Sequence, residues 1–288
     1  MSSQDLFGIV AMFYAVANLG SMGIELDLRE TIKSLRSFKI LGLTLGWSWL
    51  AGPAFAVLLT KVLPLTEGYA IGLLVFSLAP TAPALPMFIR MARADMSLAA
   101  AIMPLAVVGT VLLLPLMAPI LIPGLTVSSW AIAKPLLLTV LLPLVIGVLI
   151  RLYASEMADK IFPAVKKIAG ISTVFLLLFT LVFHARELLS ALGSFAVGAQ
   201  VLFTLGLALV SYVVGLGLNQ AQRSAISLGV CSRNGGAMFV AITAFPVLDP
   251  QLLVMVLLAV PVPIIVWYFL ARFYASRAAA PDPVKGRI

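Results

Sequence analysis

The chain has 288 residues, of which 62% are hydrophobic and 10% charged, with a formal net charge of +8. A soluble fold of this length needs a polar shell that such a composition cannot build, so lipid must be the solvent for most of the outer surface. The basic residues sit in short segments between apolar runs, without the aromatic interleaving of single-strand binders, so the charge is not that of a nucleic-acid-binding protein.

At about 20 residues per span, the length allows roughly nine spans in one membrane domain. The first apolar run, Leu6–Ile24, has no basic segment before it and reads as a span, not a cleaved signal. The second is predicted at Phe38–Leu63, and the third at Gly68–Ile89 with a break inside it. The fourth covers Met96–Ile122, the fifth Ser129–Leu152 and the sixth Ile168–Phe183. The seventh covers Ser194–Leu218, the eighth Gln222–Phe245, again broken, and the ninth Pro250–Tyr274.

The connecting segments alternate in charge. One set carries Arg29, Lys33, Arg36 and Lys39, then Arg90 and Arg93, then Arg151, Lys160, Lys166 and Lys167, then Arg223 and the C-terminal cations. The other carries Lys61 with Glu67, the nearly neutral Pro123–Trp130 segment, Arg186 with Glu187, and Asp249. The excess of positive charge on cytoplasmic loops predicts an integral cell-membrane protein with its N-terminus outside and its C-terminus in the cytoplasm. The tail, residues 276–288, is predicted to be disordered.

An internal repeat shapes the architecture. Ser77 and Ser227, Asp95 and Asp249, and Pro104 and Pro261 are paired at separations of about 150, 154 and 157 residues. Each unit is a helix, a break, a half-helix, a short acidic loop and a proline-containing span. The two broken spans lie an odd number of spans apart, which is the pattern of an inverted-topology repeat.

The breaks mark a site. Pro80, Pro83 and Pro86 fall within seven residues, and each removes a backbone donor and clashes with the preceding turn. In the other half, Gly229 and the pair Gly235 and Gly236 flank Cys231, Ser232, Arg233 and Asn234. Each glycine weakens a helix by roughly 1 kcal/mol relative to alanine. Non-helical backbone at membrane depth persists only inside protein or beside a water-filled cavity, and transporters build sites from it.

Arg233 is the sharpest residue, because an arginine near the bilayer centre costs at least roughly 2.5–3.5 kcal/mol. It either serves an anionic substrate or a coupling role, or makes a permanent contact with helix-end carbonyls. Asn234, Ser232 and Thr81 are polar neighbours able to line the same site. Asn18 either faces it or makes an interhelical hydrogen bond. His184 reads as an interfacial histidine, Cys231 as a small filler, and Trp47, Trp49, Trp130 and Trp267 as packing or interface residues. With one histidine and one cysteine, neither a His/Cys metal centre nor a Cys–His nucleophile pair is expected, and no phosphate loop is present. No cofactor and no enzyme chemistry are expected.

The segment from Gly229 through Arg233 and Asn234 to Ala241, followed by Phe245-Pro246, resembles the second crossover of the bile acid:sodium symporter family. Ala79–Pro86 with Met91–Leu98 resembles its first crossover and the turn after it, and Ser21–Leu26 the end of its first span. The resemblance implies a panel (residues 6–24 and 129–183) and a core (38–122 and 194–274), with the broken helices crossing and substrate bound between the two. The departures are at the cation ligands. Leu85-Pro86 stand where sodium-coupled members carry Ser-Asn, Ala99 and Met103 align with hydroxyl ligands, Gly229 stands for a Glu, and Arg233 for a Gln. Sodium needs several oxygen ligands. The expected function is therefore secondary transport of a small organic anion without sodium, as a uniporter, exchanger or proton-linked carrier, with Arg233 replacing a coupling cation or meeting the substrate's charge. The alternatives are a sodium symporter with displaced ion sites, a non-transporting sensor or a channel-like pore. Export of auxin-like or arsenite-like solutes is the runner-up on substrate.

Overall fold

The computed structural model describes residues 3–26, 31, 37–122, 124–215, 217–246 and 248–278. Of the residues singled out above, Arg29, Lys33, Arg36, Pro123 and tail residues 279–288 lie outside these. All regular elements among the described residues are helices. They are α1 (Ser3–Glu25), α2 (Phe38–Val62), α3 (Glu67–Leu78), α4 (Leu85–Met91), α5 (Met96–Leu121), α6 (Ser129–Tyr153) and α7 (Ser155–Phe183). There follow α8 (Ala185–Ser190), α9 (Ala196–Val213), α10 (Gln220–Cys231), α11 (Gly235–Ile242), α12 (Pro250–Leu258) and α13 (Pro261–Arg277). Among the described residues, seven stretches are long and apolar enough to cross a membrane: α1, α2, α5, α6, α7, α9 and the joined pair α12–α13. The chain is a polytopic helical membrane protein.

Helix starts are written locally. Asp95 accepts a hydrogen bond from the Leu98 amide at 3.0 Å to cap α5, and Asp249 accepts from Gln251 and Leu252 at 2.7 and 3.2 Å to cap α12. The two aspartates matched in the sequence repeat thus do the same job. Asn219 and Gln222 form a reciprocal capping box at the start of α10. Prolines reshape the helices they interrupt. A wide π-helical turn, Gly46–Ala51, precedes Pro53 in α2, and another, Leu137–Leu141, precedes Pro143 in α6. A proline ring cannot coexist with the carbonyl four residues earlier in a regular turn, and widening the turn relieves the clash.

Some boundaries differ from the sequence reading. The helix of the seventh span, Ala196–Val213, is shorter than the predicted span. The helix of the sixth span starts at Ser155, ahead of the predicted span start at Ile168. Lys160, Lys166 and Lys167 therefore ride on a helix rather than in a loop, since a helix can run past the lipid boundary once its cations reach water. Lys166 pairs with Glu25 at 2.7 Å and Arg151 with Asp159 at 2.6 Å. The ninth span is interrupted at Ala259–Val260, because Pro261 and Pro263 have no amide hydrogen to offer the preceding turn.

Helices α1, α6 and α7 pack on one another, while α2, α3, α5, α9, α10, α12 and α13 form a second cluster around the broken helices. The α1–α6 contact depends on glycine. A Cβ on Gly147 would lie 2.5 Å from the Gly20 carbonyl oxygen and 2.9 Å from the Gly23 Cα. Gly147→Val is expected to destabilise the protein by about 1–3 kcal/mol or more, since neither backbone can yield without losing packing elsewhere. Thermal unfolding of detergent-purified protein measures this; an unchanged Tm would show that α1 and α6 separate freely.

Candidate functional site

The two breaks meet. Helix α3 ends at Leu78 and α10 at Cys231, and the extended residues that follow cross as a short antiparallel bridge between Pro80 and Arg233. The Thr81 amide donates to the Ser232 carbonyl at 2.7 Å and the Asn234 amide to the Ala79 carbonyl at 2.9 Å. Backbone groups freed by the breaks therefore satisfy one another inside protein, as the apolar surroundings demand.

Side chains reinforce the crossing. The Thr81 hydroxyl donates to the Gly229 carbonyl at 3.0 Å, and the Ser232 hydroxyl donates to the same carbonyl at 3.1 Å while accepting from the Ala82 amide at 3.3 Å. Thr81 has a φ of 68°, a left-handed conformation strained for a β-branched residue and held by these bonds. Asn234 accepts from the Ala237 amide at 3.1 Å and caps α11. Pro86 lies in the first turn of α4, where its missing amide costs nothing, and Pro83 lies in the turn before it.

The glycines divide. Gly235 and Gly236 open α11, and a Cβ on Gly236 would sit 3.2 Å from Ala15 and Tyr14 of α1, so this glycine admits α1 to the crossing. Gly229 flanks the break from within α10, where a Cβ would meet Ile102 of α5 at 3.2 Å. Its small size serves helix packing, and its carbonyl anchors the crossing.

Arg233 is 1% exposed, and none of its three guanidinium nitrogens has a hydrogen-bond partner among the described residues. The guanidinium lies 4.9 Å from the centre of the Phe203 ring. A Cβ on Gly52 would begin 3.0 Å from Nη2, 3.3 Å from the Trp47 carbonyl oxygen and 3.8 Å from the Ser77 carbonyl oxygen. The charge therefore points among α2, α3 and α9. It sits beside an aromatic face, backbone oxygens and the C-terminal ends of α3 and α10, all of which favour a cation.

A small cavity, about 30 Å³, adjoins the crossing and is lined in part by Tyr14, Thr173, Arg233, Gly235 and Trp267. The Trp267 indole nitrogen is buried without a partner among the described residues. Asn18 is engaged elsewhere: its amide nitrogen lies 3.0 Å from the Tyr14 carbonyl, 3.2 Å from Ser172 and 3.3 Å from both Ala169 and Thr173. It joins α1 to α7, and its neighbours Tyr14 and Thr173 reach the cavity instead. The sequence therefore brings Arg233, Asn234, Ser232 and Thr81 to one place and Asn18 to its edge. Gly52 and Phe203 were missed, because a single glycine or phenylalanine in an apolar span carries no distinguishing signal. Trp267, read as a packing residue, lies on the cavity wall.

His184 closes α7. It is 1% exposed, packed edge-on to Phe7 at 5.5 Å, with Nδ1 4.0 Å from a Glu187 carboxylate oxygen. Burial lowers its pKa from the usual 6.5, against the opposing pull of Glu187.

A family model described as Sodium Bile acid symporter family matches residues 12–192, more than half of the chain. The match spans α3, the first break and α4, and ends before the segment that carries Arg233. No curated protein matches.

Proposed function

The chain belongs to the sodium bile acid symporter family, and from that premise we propose that it is a secondary transporter of a small organic anion that works without sodium. Arg233 supplies from within the protein the positive charge that a coupling cation otherwise brings. The observation that carries this reading is the direction of the guanidinium. It lies among helices α2, α3 and α9, against Phe203 and the backbone oxygens near Gly52, rather than facing an acidic side chain. A monovalent cation would seek the same surroundings.

On this reading the chain crosses the membrane nine times, with the N-terminus outside. The units on either side of the crossing form an inverted repeat, a view supported by the paired breaks and by the equivalent caps Asp95 and Asp249. The cluster α1, α6 and α7 is the panel, and it rocks against a core that holds the crossing. Substrate enters between them, near Tyr14, Thr173 and Trp267. Arg233 also borders that cavity, but its guanidinium faces Phe203 and Gly52, so its charge takes the place of the cation rather than meeting the substrate's anionic group directly.

The test is uptake of a panel of small carboxylates and sulfonates into proteoliposomes. Saturable uptake is expected to differ less than about twofold with and without an inward sodium gradient. Strict dependence on sodium would overturn the proposed mechanism. Saturation separates a carrier from a pore, and binding without any flux would identify a sensor.

A further inference from the structure

The cavity beside the crossing lies between α1 and α7 on one side and α11, α13 and the segment leading to α4 on the other. Val260, Ile264 and Trp267 border it at helical spacing along the start of α13 and form one wall. Tyr14 of α1, Leu176 of α7 and Ala82 close it from the other elements. No acidic side chain among the described residues borders it.

Trp267 stands out in this wall. It is 3% exposed, and its indole N–H has no hydrogen-bond partner among the described residues. Phe88 of α4 packs edge-on against the ring, with centroids 5.6 Å apart, and holds it in place. An indole nitrogen only donates, and a buried donor left unmet is costly. What completes it must therefore be an acceptor, which excludes ammonium groups and other cations. The Thr173 hydroxyl, also on the cavity, is already engaged with Ala169 and Asn18. Gly235, the first residue of α11, borders the same space. The first amides of a helix have no intrahelical acceptor and carry its positive dipole end.

Resting on the organic-anion transport proposed above, we propose that Trp267 is the specificity-determining residue for the substrate's anionic group, and that this group is a carboxylate. One carboxylate oxygen accepts from the indole N–H and the other lies at the start of α11. A water needs about 10–15 Å³, so a cavity of about 30 Å³ seats two oxygen atoms and not the three of a sulfonate. Ala82, Leu176, Val260 and Ile264 are apolar and would leave a third oxygen unpaired. Arg233, its guanidinium turned to Phe203, adds a favourable potential without touching the anion.

The test compares propionate and benzoate with ethanesulfonate and benzenesulfonate, on the detergent-purified full-length chain and in proteoliposomes. The carboxylates are expected to raise Tm and to bind at least about tenfold more tightly than their sulfonates. Trp267→Phe keeps an aromatic ring against Phe88 and removes the N–H. It should raise KM for carboxylate uptake about tenfold or more, the worth of a hydrogen bond to a charged group. Its kcat should stay within about twofold, and its preference for carboxylate over sulfonate should narrow. Ile264→Phe, which fills the cavity from the neighbouring turn of α13 and keeps the indole, should abolish the Tm response. Sulfonates bound as tightly as carboxylates, or no Tm response of wild type to either carboxylate, would overturn the assignment. So would an unchanged KM in Trp267→Phe, which leaves transport itself standing. Carboxylate binding that Trp267→Phe weakens, with no uptake by wild type, would keep the assignment and overturn transport instead.

Discussion

Arg233→Met is expected to reduce saturable uptake at least about 100-fold while leaving Tm unchanged or higher. The two readouts move apart for one physical reason. The guanidinium is buried, and its nitrogens have no hydrogen-bond partner among the described residues, so the folded protein holds a charge whose desolvation only Phe203, backbone oxygens and helix ends offset. Replacing a buried charge by an apolar side chain of similar volume is neutral or stabilising, by up to about 4 kcal/mol. Retaining an arginine at membrane depth costs at least about 2.5–3.5 kcal/mol. If that charge serves the transport cycle, its loss is worth about two powers of ten in rate. A fall in Tm with uptake preserved would make Arg233 a structural residue. Arg233→Lys should recover only part of the activity, because an ammonium cannot lay a planar face on Phe203.

Gly52→Val is expected to lower uptake about 10- to 100-fold with Arg233 still in place. The first atom of any side chain at residue 52 would lie 3.0 Å from the guanidinium and 3.3 Å from the Trp47 carbonyl. The extra methyls of valine would occupy the charge's own space, and overpacking of this kind costs about 1–3 kcal/mol. The backbone has little room to retreat, because the Gly52 amide is bonded to the Trp47 carbonyl in the wide turn set by Pro53. Gly52→Ala should fall between wild type and valine. Wild-type uptake by the valine variant would mean that the guanidinium does not need its present seat. The pair of variants separates the presence of the charge from its position.

Much of this protein is legible in its amino-acid order, and the reason is that lipid leaves few options. Apolar length specifies a helix because no other open structure satisfies its backbone there. The runs at Phe38, Met96 and Ser129 begin helices at those very residues. Pro80–Pro86 and Ser232–Asn234 interrupt helices as their chemistry requires, and Arg233 stands out because a charge among apolar residues is rare. Helix α7 starts ahead of the predicted span because hydropathy marks where lipid begins, not where a helix does. Gly229 flanks the break as expected, with its carbonyl at the crossing, but that its missing side chain also admits Ile102 is not visible in sequence, where a glycine that breaks a helix and one that lets two helices touch look alike.

Hydropathy, proline and glycine act on the chain within a turn or two, so they alone settle that this is a helical membrane protein with two interrupted helices and an arginine beside one of them. Where that arginine points is a different kind of fact. It depends on Gly52 and Phe203 arriving from helices distant in the chain, and on Asn18 spending its amide on α7. The same holds for the buried imidazole of His184, which sequence placed at an interface and packing against Phe7 and Phe179 enclosed. Such placements are decided by which side chains fill one another's space, and only the assembled tertiary structure sets that.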